Sequence, residues 1–460
     1  MTPITPNDVR RCRSGRRRSL LLPAVALAAL LAGCSTDDIL DVEDPDVVTP
    51  EVLTGPEALP TLLAGALGDF QVGISGSGTA SEGMIDMTGL FTDEFFNSET
   101  FPTRLEVDSR DITDRNTTME TVFRDLSKAR KSAEIAAASY QEFAPDDVGH
   151  ARVLSLAGYS YVFFGEAYCS GVPFSDVSAG GSEFGQPLST TQMLEQAVAR
   201  FDEAITLATA AGDSGQVYLA RVGRGRALLD LGRYAEAAAA VAGVPDDFVY
   251  LIEHSDNTPR QWNGVWEFTY NEGRWTVADR EGGTGLPFQT DGDVDGTVGD
   301  PRVANALSPD EVGFDSETPL FLPAKYPVRE ADTPVATGVE ARLIEAEAAM
   351  NAGDPVGFLA GLNAARAGFA GLPPIVVPPT AAEQQDLLFK ERAYDLFLTG
   401  HRLGDLRRLV RQYGRAAESV FPTGIYPNGK VDAYGTQVSF PIPIQEQVNP
   451  NFTGCDATSA

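Results

Sequence analysis

The sequence predicts a mostly α protein: a helical scaffold of tetratricopeptide-like repeats that carries a long, irregular, loop-rich insertion. Three observations lead there. The motif Arg200-Phe201-Asp202-Glu203-Ala204 returns 33 residues later as Arg233-Tyr234-Ala235-Glu236-Ala237, close to the period of ~34 residues of tetratricopeptide repeats. Through most of the chain, apolar residues recur at three- and four-residue steps, the signature of one buried helix face. Between residues 246 and 337 the texture changes to Gly, Pro and Asp, and this stretch holds all three tryptophans; such composition marks irregular chain.

The N-terminus reads as a lipoprotein signal over residues 1–33. Arg10, Arg11, Arg13, Arg16, Arg17 and Arg18 form a basic stretch, and an apolar run from Leu20 to Ala32 follows, broken by Pro23. That run is too short to span a bilayer, which needs ~20 apolar residues, and its layout is that of a secretory signal. Leu31-Ala32-Gly33-Cys34 resembles the bacterial lipobox, which implies cleavage before Cys34 and lipid on its thiol. Two or more acyl chains anchor a protein stably, whereas one does not. Residues 34–55 read as an acidic, lipidated tether.

The scaffold is expected over residues 56–245 and again over 338–415. Thr54 or Pro56 opens a first helix running to about Phe70, and the Gly/Ser-rich stretch Gly73–Gly83 interrupts it. Thr118–Tyr140 sets Met119, Val122, Phe123, Leu126 and Ala129 on one face, and Ala151–Tyr168 has the texture of a fully buried helix ended by Gly171-Val172-Pro173. In the second copy of the repeat, Gly225 and Ala237 fit positions where paired helices touch, and Tyr234 fits the aromatic slot. Ala341–Leu362 reads as a further helix pair around a Gly353-Asp354 turn. Helices return at Ala381–Leu398 and Arg402–Gln412, parted by Gly400, with Leu403, Leu406 and Val410 facing the core. Within the insertion, Trp266, Phe268 and Tyr270 alternate with Val265, Glu267 and Thr269, which predicts a short strand with an aromatic face. Residues 416–460, rich in Pro, Gly and Asn, predict an extended tail over the scaffold.

The net charge of −30 argues against nucleic acid, whose binders carry basic patches, and signal cleavage makes the chain more acidic still. Cys12 leaves with the signal and Cys34 carries lipid, so Cys169 and Cys455 remain as one candidate pair in a compartment that permits disulfides. A bond between them would pin the tail to the helical body. His150, His254 and His401 are far apart, and no Cys/His spacing suggests zinc. No Ser/His/Asp or Cys/His set accompanies His401, which reads as a packed or surface residue, so no catalytic residue is named. Asp291, Asp293 and Asp295, with Gly296, begin like a calcium loop, but Arg302 stands where an EF-hand needs a bidentate Glu. A looser calcium site is weighed there against an acidic, solvated turn.

Near the C-terminus, Glu391-Arg392-Ala393-Tyr394-Asp395-Leu396-Phe397-Leu398-Thr399-Gly400-His401-Arg402-Leu403-Gly404-Asp405-Leu406-Arg407-Arg408 resembles the E-R-x-x-E-L-x-x-E-G-x-R-x-x-D-L-x-R signature of the SusD/RagB-like family. Phe440-Pro441-Ile442-Pro443, Glu446 and Asn449-Pro450-Asn451 are similar to that family's closing F-P-I-P…E…N-P-N. Asp395 and Thr399 replace Glu residues, and Leu403 stands where an aromatic is frequent. The resemblance implies a non-catalytic, surface-exposed outer-membrane lipoprotein that binds a nutrient, an oligosaccharide or in some members a peptide. It also implies delivery to a SusC-like TonB-dependent porin. The alternative reading is a tetratricopeptide scaffold lipoprotein that binds other envelope proteins.

Sugars present apolar C–H faces, so a capture site sets exposed aromatic rings on loops beside polar anchors. Two stretches meet that condition: Phe95, Phe96, Asn97 and Phe101 after the first helices, and Trp262 with Asn263 and Trp275 with Arg274 in the insertion. The first is where related proteins place part of their binding surface. Trp266 is expected to face the core, and the other reading of all these rings is packing of the insertion onto the scaffold.

Overall fold

The computed structural model describes residues 54–79, 81–178, 181–292 and 299–460. Cys34, the signal segment and most of the tether lie outside the described residues. A 3₁₀ turn at Pro56–Ala58 leads into α1 (Leu59–Ser75); after Gly76 come α2 (Met84–Phe91), strand β1 (Phe95–Asn97) and α3 (Pro102–Asp108). The long pair α4 (Thr117–Phe143) and α5 (Val148–Ala167) follows. Asn116 and Asp147 cap them by accepting hydrogen bonds from Met119 N and Gly149 N, which satisfies backbone donors that the first turn leaves free. All five apolar residues expected on one face of α4 are buried. Short strands β2 (Val172–Pro173), β3 (Asp176–Ser178), β4 (Gly181–Glu183) and β5 (Pro187–Leu188) connect to α6 (Thr190–Ala211), α7 (Ser214–Asp230) and α8 (Tyr234–Val241).

Each helix from α4 to α8 packs on the next, as in a stack of helix hairpins, and α8 continues onto a later helix. Small residues set the approach. Gly158 on α5 and Gly223 on α7 both lie against the fully buried ring of Phe201 on α6. Gly225 meets Val241 and the Ala237 carbonyl of α8, as its sequence position predicts. The two copies of the repeat motif, however, do not occupy equivalent places. Arg200–Ala204 lies in the middle of α6, whereas Arg233 is the N-cap of α8, so Phe201 is fully buried and Tyr234 only half-buried.

The insertion is closed at its base by an antiparallel pair. Strand β6 (Val249–Ile252) bonds to a strand near its far end, Thr333–Thr337. Between them lie α9 (Gly264–Trp266), strand β7 (Trp275–Val277), α10 (Phe288–Gly292) and the hairpin of β8 (Asn305–Val312) with β9 (Pro319–Pro323); Thr333–Thr337 is β10. The strand expected around Trp266 is absent. Asn263 accepts from Trp266 N to cap α9, and a π turn, Glu267–Asn271, continues it. Thr269 Oγ1 donates to Val265 O at 2.6 Å and Asn271 Nδ2 to Glu267 Oε1 at 3.0 Å. Val265, Phe268 and Thr269 are buried while Trp266 and Tyr270 are half-exposed, a three-and-four spacing that overrides the alternation. Trp266 is therefore a surface-edge ring rather than a core one.

The scaffold resumes with α11 (Gly338–Asn351) and α12 (Pro355–Arg366), turned by Gly353 and capped by Asp354, then α13 (Ala381–Asp395) and α14 (Arg402–Arg411). Leu398 and Gly400 carry φ of 53° and 75°, the left-handed turn that ends one helix before the next. Leu403 and Leu406 are buried and Val410 is half-buried. The signature residues around them form an ion network in the core. Arg392 and Arg408 flank Asp405 at 2.8 and 2.7 Å, Arg408 also pairs with Glu347, and Arg402 holds Asp93 at 2.7 Å. Arg407 donates to the Gly165, Glu166 and Tyr168 carbonyls at the end of α5. His401 is buried, 3.1 Å from Glu340, a packing role as expected.

The tail adds only short 3₁₀ turns. It docks where Phe440 N donates to Ala167 O and Cys169 N to Phe440 O. Cys169 and Cys455 are joined by a disulfide with Cα atoms 5.7 Å apart, which fastens the tail as foreseen. No helix of the described residues is long and apolar enough to cross a membrane.

Candidate functional site

The site is organised by a two-strand ribbon that ties the insertion to the scaffold. β1 and β7 pair antiparallel in the register Phe95↔Val277, Phe96↔Thr276 and Asn97↔Trp275. Side chains alternate across a strand, so this register sorts the expected binding residues. Phe95 and Trp275 are fully buried, and the Trp275 ring lies 5.5 Å from that of Phe268; both are core, contrary to expectation. Asn97 is buried too. Its backbone N donates to Asp108 Oδ2 at 2.9 Å and its Oδ1 accepts from Glu99 N at 3.1 Å. Asn263 is likewise structural: besides capping α9 it donates to Ala331 O at 2.8 Å and Thr333 Oγ1 at 3.2 Å. These four residues were expected on loops; pairing and capping draw them inward.

Phe96 points the other way, onto the open face. It stacks on Tyr426 with centroids 5.5 Å apart and planes 25° apart. Together with Thr276, Phe321, Arg280 and Gln289 it lines a cleft of about 290 Å³, apolar at the rings and polar at the rim. Beneath it, Tyr426 OH donates to Asp108 and Tyr434 OH to Glu281. Burial pushes the Asp108 carboxyl well above the usual carboxylate range, while the bonds from Tyr426 and Asn97 N act against it.

Beyond the end of β1 stands a second group of rings. Phe101 is 48% and Phe314 50% exposed, and their centroids are 6.4 Å apart. The Arg274 guanidinium lies 4.3 Å from the Phe314 ring and 5.0 Å from that of Phe101, with Arg104 5.3 Å from the latter. Both cations are held by the buried Glu99, at 2.7 Å from Arg274 and 3.1 Å from Arg104, and are further paired with Glu272 and Glu82. The Phe314 loop is bonded to the residue after β1 through Asp315 N→Ser98 O at 3.0 Å and to Gly273 O through Phe314 N at 2.9 Å. The result is a pair of exposed rings on a rigid polar mount.

Trp262 belongs to a third group. It is half-buried, packs against Gly78, and meets Trp266 edge-on at 6.1 Å. Arg329 lies 4.6 Å from the Trp262 ring and 5.2 Å from the Trp266 ring. Among the described residues no ring or cation contact joins this group to Phe101 or Arg274. Phe314, Phe321 and Arg329 were missed from sequence. Only Phe314 carried a signal, as a ring in the Gly313-Phe314-Asp315-Ser316 turn. Asp293 and Asp295 lie outside the described residues. Asp291 accepts from Tyr394 OH at 2.7 Å, and among the described residues no cluster of three metal-ligating side chains occurs. Arg302 pairs with Asp300 and Glu391 at 2.7 and 2.6 Å.

No protein-family model and no curated protein sequence matches the chain. Solved structures do. Surface glycan-binding protein A from Bacteroides uniformis superposes with a TM-score of 0.63 at 14% identity, over 88% of this chain and 100% of that one. A SusD-like carbohydrate-binding protein from Bacteroides fragilis gives 0.61 at 16% identity, over 86% and 98%. A SusD/RagB family protein from Bacteroides thetaiotaomicron gives 0.59 at 12% identity, over 85% and 95%. The agreement runs through nearly the whole described chain, so the protein has the SusD-like fold of the SusD/RagB type.

Proposed function

We propose that this protein is a lipid-anchored, surface-exposed outer-membrane component that captures an oligosaccharide and passes it to a SusC-like TonB-dependent porin. The observation that carries the reading is a set of rings open to solvent on fixed mounts: the half-buried Phe96 in its cleft, and the exposed Phe101 with Phe314 over Arg274 and Arg104. A pyranose lays its C–H face on such a ring, and hydroxyls reach rim groups such as Arg280 and Gln289. The mount lets rings stay exposed without wandering, so little ordering cost falls on binding. Structures with the same fold include a carbohydrate-binding and a surface glycan-binding protein, which supports the same reading.

The function is binding without chemistry. Around the rings, Glu99 is paired with two arginines and Asp108 and Glu281 accept from tyrosines, so these carboxylates hold the mount together. Anchoring through Cys34 follows from the lipobox.

Calorimetry with the full-length protein against a panel of neutral oligosaccharides tests the proposal. At least one should bind, and changing Phe96, Phe101 and Phe314 to Ala together should weaken it on the order of tenfold or more, since it removes the apolar ring surface that the sugar buries at about 25 cal/mol per Å². Unchanged affinity in a folded triple variant would place capture elsewhere.

A further inference from the structure

We infer that Trp262, Trp266 and Arg329 form a separate subsite for a carboxylate-bearing sugar, a uronic acid unit. The inference extends the oligosaccharide reading, on which it rests for the class of ligand, to a place and a charge that reading does not contain.

The argument starts from Arg329. The arginines under the Phe101 and Phe314 rings are each matched by two acids. Arg329 differs: its guanidinium lies over two indole rings, at 4.6 and 5.2 Å, and among the described residues no carboxylate stands within ion-pair distance of it. Arg110 and Arg130 also lie over two rings without an ion pair, but both are buried, whereas Arg329 is half-exposed and open to a ligand. Glu267 is close enough for Arg329 to draw its carboxyl downward, but burial outweighs that, its pKa is raised, and it is bonded to Asn271 instead.

Arg329 is also not needed to hold its own segment. Asn263 N donates to Arg329 O at 2.7 Å, and the Asn263 side chain bonds Ala331 O and Thr333 Oγ1. The backbone is thus pinned before the guanidinium makes any contact. Stacking on a ring occupies a face of the guanidinium and leaves its in-plane N–H fork free, and that fork matches a carboxylate bidentately. The two indoles meet edge-on, with planes 87° apart, and both are half-buried, so neither is closed off from solvent. A sugar ring carrying a carboxylate fits this pairing: the C5 carboxylate on the Arg329 fork, the C–H face along the indole edges. A neutral sugar would leave the fork without its matching charge.

The test compares an unesterified oligogalacturonate with its methyl ester, the same rings without the charge, on the full-length protein. Calorimetry should show the acid form binding on the order of tenfold tighter, the difference expected of a charge-assisted hydrogen-bonded pair. The preference should shrink as salt is raised and vanish in Arg329→Gln. Arg329→Lys, which keeps the charge but loses the planar fork, should retain only part of it and serves as the second variant if the Gln form is poorly folded. Equal binding of acid and ester, binding of neither, or a preference that survives Arg329→Gln would overturn the inference. Failure of the neutral panel together with an Arg329-dependent acid preference would sink the neutral-glycan reading and leave this one standing.

Discussion

Replacing Gly223 with Ala tests the helical scaffold at its tightest point. Gly223 is buried in α7, and a methyl group there would stand 2.5 Å from Phe201 Cε1 and 2.8 Å from Tyr159 Cζ. Carbon atoms in comfortable contact sit ~3.5–4.0 Å apart, so about 1 Å must be found. Phe201 cannot supply it by retreating. Gly158 on α5 leaves so little room at the same ring that a Cβ there would lie 2.8 Å from it. Tyr159 is fixed by its hydroxyl bond to Leu219 O at 3.0 Å. Two effects oppose each other. Ala is the better helix former by about 1 kcal/mol, while overpacking a filled core costs about 1–3 kcal/mol. With both neighbouring rings pinned, the upper part of that range applies, and the net loss should be about 1–2 kcal/mol. The control is Gly65→Ala in α1, where nothing lies within 4 Å and only the helix preference acts; it should stabilise by about 0.5–1 kcal/mol. Differential scanning calorimetry of the three proteins reads the comparison. If Gly223→Ala melts at or above the wild type, the close-packed account of α5, α6 and α7 is wrong.

Asp405→Asn should destabilise by about 3–5 kcal/mol, because it leaves the buried Arg392 without its anion and takes one of three acids from Arg408. The same ion network holds the Asp405 pKa far below its usual value, through Arg392 first and Arg408 next against the penalty of burial. Its folded pKa is depressed, so its stabilisation is present above about pH 4 and lost as the pH falls below that; acid melting curves of wild type and variant should converge. Cys455→Ser should cost up to about 5 kcal/mol in the chain-entropy view for so long a loop. Limited proteolysis should then cut the tail after residue 440 first, and unchanged tail protection would argue that packing alone holds it. Cys34→Ser should move the protein from the membrane fraction to the soluble one, and retention after high-salt washing would mean another anchor.

The helices were legible because an amphipathic face repeats every three or four residues whatever lies opposite it. Their starts were read less closely: the Asn116, Asp147 and Thr380 caps were not used, and the helix read from Ala151 begins at Val148. Trp266–Tyr270 was misread because three aromatics at alternate positions outweighed the Asn263 cap and the Val265, Phe268, Thr269 spacing. The binding surface was half legible. Phe101 was recognisable as a ring on a loop, but Trp275 was not recognisable as core. Its burial depends on pairing with Asn97, 178 residues earlier, through a strand of three residues that is too short to show alternation. Phe321 reaches the cleft only because β9 lies beside β7, where Phe321 N donates to Thr276 Oγ1 at 2.8 Å. Contacts of such range leave no local trace in sequence.

The central claim is that exposed rings on the β1–β7 side receive a sugar. A crystal structure of the protein with the tightest-binding neutral oligosaccharide tests it most directly. The account predicts a pyranose lying flat, about 4 Å away at van der Waals contact, on Phe96 in its cleft or on the Phe101–Phe314 pair. A sugar seated instead in the concavity between α8 and α11, beside Tyr234 and Ala348, would contradict it.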